Sequence, residues 1–415
     1  AHRGSADDLP AVGHDLQVFV NLQFLLGFLE KEVFETGTST RIGKVPSTFW
    51  WKSREITKNR GKQQMKKTKK LLSVMMALSL AVFSTACSSA SPTEGAADKK
   101  IVIKFAHEES ETDLQGIYAN KFKELLEAKS NGKVEVEVYP VGTLGTDLNI
   151  AEQLQQGVVQ FAISSPGTTG TLVPEAQVVA LKFLFSNNPQ ANYQVLTEGK
   201  AFTELIAGEY EKHNMKVLHF WPEGFNSITA NKPITKPDDL KGFKIRTQTS
   251  PLMVKSYEVF GANPTPLDFS EVYTGLQLGT IDGQENPNFF IESTGLYEIQ
   301  DYLIDARHSL YITSTVANND YYDSMPEDIK KAVEETIAEL KPFAFDIEQK
   351  ANEEALKKMQ EGGNIEFIQL DAAAREQFKA LSVPAHQMYV EVAGGKAQEI
   401  LDTLKQEIAS AEQSN

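Results

Sequence analysis

At 415 residues, 41% hydrophobic and 23% charged, the chain holds apolar material for roughly two ordinary domains, which excludes a disordered protein. The formal net charge of -15 hides an asymmetry: residues 1–86 carry 13 Lys and Arg against 7 Asp and Glu, leaving 28 against 49, a net of -21, for residues 87–415. So acidic a body repels phosphate backbones, so nucleic acid is not an expected partner, and any anion it holds must be gripped locally.

The first organised stretch begins at Met65. Lys66, Lys67, Lys69 and Lys70 precede an apolar run from Leu71 to Phe83 that is too short to span a bilayer comfortably. This is the layout of a signal peptide over residues 65–86. The run closes at Ser84-Thr85-Ala86-Cys87, which resembles the lipobox of bacterial lipoproteins, so Cys87 is the expected lipid attachment point and the bilayer an expected partner. Cys87 is the single cysteine, so no disulfide forms within the chain. A secretion signal acts from the start of a nascent chain, so residues 1–64 are expected to be a non-native upstream extension, with synthesis starting at Met65. Residues 87–100, rich in Ser, Ala, Gly and Pro without apolar period, read as a flexible tether.

The folded part opens with IVIKFA, a β-branched run expected to be a buried strand, followed by His107-Glu108-Glu109. Leu114, Tyr118, Phe122, Leu125 and Leu126 recur near the helical period, and Asn131-Gly132 closes that helix. KVEVEVYP alternates as a strand, LNIAEQLQQG reads as a helix ended by Gly157, and VVQFAISS as a third strand. The alternation argues for a parallel α/β sheet, whose ligands bind beyond the carboxyl ends of the strands, where His107 to Glu109 and Ser164-Ser165 fall. A second α/β unit follows KVLHFWPEG: GFNSITAN and FKIRTQT read as strands, PLMVKSYEVFGA and SEVYTGLQLGTIDG as helices, and QENPNFF opens a further segment. From Ser324 the pattern is helical, with a capping box of Ser324 and Glu327 around Pro326, a core stripe of Ile329, Val333, Ile337 and Leu340, and a kink at Pro342.

Arg246 and the run GANPTPLDFSEVYTGLQLGTIDGQENP resemble the TRAP transporter solute-binding proteins of the DctP family, and the likeness extends over roughly residues 101–410. FAHEESETDLQ, SPGTTGTLVPEAQ and NPNFFIESTGLYE are most similar to its ectoine-binding branch. The resemblance implies an α/β, two-domain, type II periplasmic-binding-protein-like fold, with two mixed sheets flanked by helices and with hinge strands and a long spanning helix around a central cleft. Domain I is expected over 101–223 plus about 312–352, and domain II over 224–311 plus about 353–410. The implied function is extracytoplasmic, in the periplasm or on the outer face of the cell membrane. There the protein captures a small organic acid or zwitterion and delivers it to the small and large membrane permease subunits.

Carried onto this chain, the resemblance makes Arg246 the group that forks a ligand carboxylate or sulfonate, a task suited to a planar, always-charged guanidinium. Asn286 supports the same group, and Glu109 matches the acid that meets the ligand's cationic ring. Phe290 is the expected ligand-side ring, with Trp221 and Phe225 as further candidates, and His107, Ser165 and Asn226 complete the expected contacts. Thr168 stands where the ectoine branch supplies a phenylalanine, Phe269 where it supplies a tryptophan, and Asn226 where sialic-acid-type members carry a second arginine. These departures leave a hydroxy acid, a dicarboxylate or a hydroxyalkyl sulfonate open beside an ectoine-like zwitterion.

The competing class is a hydrolase or metal enzyme. The chain lacks the H-E-x-x-H and G-x-S-x-G spacings and any Walker or G-x-G-x-x-G loop, so no catalytic residue, cofactor or metal is expected. A ligand-binding sensory subunit feeding a membrane receptor is the other alternative, and neighbouring genes for two membrane proteins would separate it from a transporter.

Overall fold

The computed structural model describes residues 100–414. The extension 1–64, the leader 65–86, Cys87 and the tether up to residue 99 lie outside the described residues. The order begins β1 (Ile101–Ala106), α1 (Leu114–Lys129), β2 (Val134–Tyr139), α2 (Asp147–Gln155) and β3 (Phe161–Ser164). After a series of short helices comes β4 (Met215–Ala230), then β5 (Lys244–Thr247), α3 (Pro251–Glu258), β6 (Asn263–Pro266), α4 (Phe269–Gln277), β7 (Gly283–Pro287) and α5 (Asn288–Ser293). The chain ends with β8 (Tyr302–Asp305), β9 (Leu310–Asn318), α6 (Glu327–Gly362), β10 (Glu366–Gln369), α7 (Ala372–Ala393) and α8 (Ala397–Ser414).

The first three strands are parallel, as the strand–helix alternation requires, but the sheet as a whole is mixed. β9 runs antiparallel to β3, and β4 runs antiparallel to β7, β8 and β9. The expected two sheets are joined into one ten-stranded surface ordered β2-β1-β3-β9-β4-β7-β5-β6, with β8 also pairing β4 and β10 pairing β8. The joint is β4. Its 16 residues take in KVLHFWPEG and all of GFNSITAN but Asn231, two runs that alternation alone splits at Pro222-Glu223-Gly224. The strand survives its proline because the pairing with β9 slips between Pro222 and Gly224, and a bulge is where a residue without an N–H is tolerated. Gly224 sits at φ 120°, and a Cβ there would lie 2.5 Å from Asn352 Nδ2 on α6, so only glycine fits.

α6 runs for 36 residues with Pro342 inside it and stops at Gly363, whose φ of 66° ends the helix. Its stripe of Ile329, Val333, Ile337 and Leu340 is buried against Phe105, Phe122 and Phe161 from β1, α1 and β3. The expected capping box does not form. Ser324 closes the preceding short helix, Asn319–Ser324, with its Oγ donating to Tyr321 O at 2.7 Å, and Pro326 takes the cap position with no side-chain bond. A second core on the same half packs Ile400, Leu401, Leu404 and Ile408 of α8 with Val316 and Phe220 of β9 and β4. The β5–β6–β7 half has its own core around Phe243, Ile245, Tyr257 and Phe260.

The glycine of the DGQENP run has a packing reason. A Cβ on Gly283 would stand 2.3 Å from the backbone oxygen of Thr229 on β4 and 2.7 Å from the Phe243 ring. Gly283→Ala should therefore cost about 1–3 kcal/mol in urea unfolding, the usual penalty for overpacking a rigid site. Gly208→Ala, where nothing lies within 4 Å on a helix, is the control and should gain roughly 0.5–1 kcal/mol. An unchanged urea midpoint for Gly283→Ala contradicts the close approach.

Candidate ligand-binding site

Arg246 leaves β5 into the interior, where its residue is 6% exposed. Its Nε donates to Leu267 O at 3.0 Å, and among the described residues the guanidinium makes no further hydrogen bond and no ion pair. Burial pushes its pKa down, with Tyr311 and Asp147 pulling the other way. A buried charge without a partner is costly, and an anion placed beside it would lower that cost. The nearest carboxylate on β7 does not neutralise it, because Glu285 is already taken. Lys182 Nζ lies 2.6 Å from Glu285 Oε1, while Tyr257 OH and His308 Nε2 each lie 2.6 Å from Oε2. Burial alone would raise the Glu285 carboxyl, but Lys182 and His308 outweigh it and hold the group well below the usual range. Burial likewise lowers Lys182, with Glu285 opposing.

Asn286 follows Glu285 on β7 and is buried opposite Ser227 of β4. Its Nδ2 donates to Gln284 Oε1 at 2.5 Å. Arg246 and Asn286 share the wall of one small cavity with Phe290, Phe269, Tyr311, Gln248 and a group of carboxyls. Phe269 lies beside the guanidinium, 5.8 Å from Arg246 Cζ to ring centroid, and 4.8 Å from the Phe290 ring. The cavity measures about 20 Å³, room for roughly one water and too small as it stands for an organic acid.

The opposite wall is acidic. Glu109 accepts from Gln115 N at 2.9 Å, and Gln115 Nε2 donates to Glu223 Oε1 at 2.9 Å. Glu108 is turned to structure: it accepts from Ser164 Oγ at 2.7 Å and from Ser165 N at 3.0 Å, which fixes the end of β3. Burial, reinforced by the neighbouring acids, raises Glu108 and Glu109 well above the carboxyl range. It pushes Glu223 up to about 7 and Asp147 to about 6, the latter against the pull of Arg246. One wall thus offers an unpaired cation and the other a set of acids that are costly to ionise without a cation beside them.

Of the expected contacts, the structure brings Arg246, Asn286, Glu109 and Phe290 together around this cavity. Asn226 lines an adjoining space of about 10 Å³ with Arg246 and Asn286, its Oδ1 without a partner. The other four stand elsewhere. His107 is fully buried behind the wall, where burial lowers its ring to about 4 and keeps it neutral. Ser165 is one layer back, and its Oγ accepts from Gln248 Nε2 at 3.0 Å, orienting a residue that does reach the cavity. Trp221 is core: its ring stacks on Tyr118 at 4.8 Å and its Nε1 donates to Thr315 Oγ1 at 3.2 Å. Phe225 faces a separate cavity. Sequence reasoning missed Glu223, Gln115, Asp147, Gln248 and Tyr311. Only Glu223 carried a signal, a glutamate wedged between a proline and a glycine inside an apolar run.

The acid wall has a measurable signature. Ionising Glu223 is opposed by the fold, so the stability it supports is complete below the ordinary carboxyl value of 4.5 and is lost as pH rises through about 7. Glu223→Gln should unfold like wild type near pH 4.5 and be about 1–3 kcal/mol more stable at pH 8 in ligand-free urea titrations. A gap that does not change with pH contradicts the placement of that carboxyl.

The fold has counterparts in known proteins. Residues 105–392 match the family model for bacterial extracellular solute-binding protein, family 7, called DctP. The ectoine-binding periplasmic protein TeaA of Halomonas elongata is 36% identical over 310 residues, 74% of this chain and 90% of that one. The ectoine/5-hydroxyectoine-binding periplasmic protein UehA of Ruegeria pomeroyi is 36% identical over 317 residues, 76% of this chain and 93% of its own. A high-resolution structure of the ectoine-binding protein from the TeaABC TRAP transporter of Halomonas elongata superposes with a TM-score of 0.73, covering 75% of this chain and 100% of that one. With a family model matched across the whole sheet from β1 to α7 and full-length relatives at this identity, the chain belongs to the DctP family of bacterial extracellular solute-binding proteins.

Proposed function

We propose that this protein is the extracytoplasmic binding subunit of a TRAP transporter and that it captures a small zwitterionic organic acid for the small and large permease subunits. The observation that carries the reading is the unpaired, buried guanidinium of Arg246 facing the buried acids Glu109 and Glu223 across one cavity. A carboxylate or sulfonate on Arg246 and Asn286 supplies the missing anion. A cationic or N–H-bearing group on Glu109 and Glu223 allows those acids to ionise. Ectoine, which two relatives bind by name, has both poles in one small ring. Phe269 and Phe290 give this chain an apolar flank for such a ring, and Thr168 is not among the cavity walls.

The domains proposed over 101–223 with about 312–352, and over 224–311 with about 353–410, put the acids and the arginine on opposite sides of a cleft that opens for entry. Attachment of Cys87 to lipid through the tether is part of the proposal. Cys87→Ser should release the mature protein from membranes with its ligand affinity intact, and partitioning with membranes in high salt would falsify the anchor.

Binding energetics test the arginine. A thermal-shift screen over ectoines, hydroxy acids, dicarboxylates and sulfonates identifies the ligand, since ligand at a hundred times its Kd adds about 2.7 kcal/mol of apparent stability. In calorimetric titration with that ligand, Arg246→Ala should weaken binding by about thirty-fold to several thousand-fold, the cost of leaving a buried charge unpaired. Arg246→Lys should fall between, because it keeps the charge and loses the fork. Asn286→Ala should cost roughly 1.5–3 kcal/mol. Ligand-free Arg246→Ala should be destabilised by no more than about 1 kcal/mol, because removal of an uncompensated buried charge offsets the packing that is lost. Wild-type affinity in folded Arg246→Ala removes this arginine from the site.

A further inference from the structure

Phe225 and Ser227 alternate with Asn226 along β4, so the cavity they line lies on the opposite face of the strand from the cleft. It measures about 310 Å³, within the range of small-molecule sites, and it is closed on its far side by α6. Its chemistry differs from that of the cleft. Glu348 of α6, 4% exposed, faces it and makes no ion pair among the described residues. Among the described residues, the oxygens of Glu348 accept only from neutral amides, those of Gln349 and of Asn352, the latter at 3.3 Å. Burial pushes this carboxyl up to about 7, against the weaker pull of Gln349, Asn352 and the Arg307 guanidinium. Amides compensate a carboxylate's removal from water poorly, and a cation does so well.

The rest of the wall favours the same sign. Asp305 and Glu353 add two further carboxyls against a single guanidinium, that of Arg307. Arg307 is already engaged: its Nε and Nη2 donate to Asn187 Oδ1 at 3.3 Å and Asn187 O at 3.0 Å, and its Cζ lies 4.4 Å from the Phe225 ring centroid. An anion would meet three carboxyls here. A cation finds Glu348 at its head and the Phe225 and Phe345 rings along its flank, the surroundings that suit an organic ammonium.

We propose that this cavity is a second small-molecule site, independent of the cleft, that takes a small primary ammonium compound with its N–H donors on Glu348 and its carbon chain against Phe225 and Phe345. The probe is n-butylammonium chloride, titrated calorimetrically and by ligand-observed NMR into the ligand-free protein. Saturable one-to-one binding is expected, weakened at least tenfold by Glu348→Gln and at least threefold by Phe345→Ala, with both variants checked for folding by thermal melt. Two results overturn the proposal. One is the absence of saturation in the wild-type protein. The other is binding that persists in both cavity variants and disappears in Glu109→Gln, which moves the ammonium to the acid wall of the cleft.

Discussion

The binding end of this molecule depends on one charge being kept from its neighbours. Arg246 is buried on β5, and a buried guanidinium ordinarily collapses onto the nearest carboxylate. Glu285 stands within reach on β7, yet Lys182, Tyr257 and His308 occupy its oxygens. The acids across the cavity are tied to the opposite wall, Glu108 through Ser164 and Ser165, Glu109 and Glu223 through Gln115. What remains is an anion-seeking group facing cation-seeking groups with about one water's space between them. In the proposed reading, a zwitterion of the right length satisfies both, and closing around it removes the cost of those unpaired charges.

The fold exists to hold those two walls on one frame. β4 belongs to both halves of the sheet, pairing β9 on one side and β7 and β8 on the other. Its bulge at Pro222 and Gly224 changes the strand's alternation, so Glu223 and Asn226, an odd number of residues apart, both reach cavity walls. Asn352 of α6 donates to Glu223 O at 2.8 Å, so the long helix grips the strand at the point where an acid of the cleft is carried. The same amide bonds Glu348, which places the second cavity one hydrogen bond from the first site.

Much of this was legible in the sequence. Period alone placed α1, α2, α3 and the core stripe of α6, because each buries one face against a sheet. Arg246 and Asn286 were legible only through the resemblance, since a lone arginine or an Asn-Pro step says nothing of its neighbours. What stayed hidden depends on long-range pairing. Trp221 looked like a ligand ring, but its stacking partner Tyr118 is distant in the chain, and nothing local announces that contact. His107 lies beside two glutamates in sequence, yet it is fully buried and does not line the cavity that they line. Glu223 was overlooked because a bulge cannot be seen from alternation, and the bulge is what turns it to the cleft.

Whether Arg246 and the ligand's acid group form one desolvated pair is tested most directly by a double-mutant cycle across the interface. One arm is Arg246→Ala, the other the replacement of the ligand's carboxylate by its primary carboxamide, with all four affinities measured by calorimetry. If the pair is real, amidation costs wild type at least about 2 kcal/mol and costs the alanine variant almost nothing, a strongly non-additive cycle. Equal losses in both proteins would show that the carboxylate is held elsewhere, and the placement of the anion on Arg246 would be wrong.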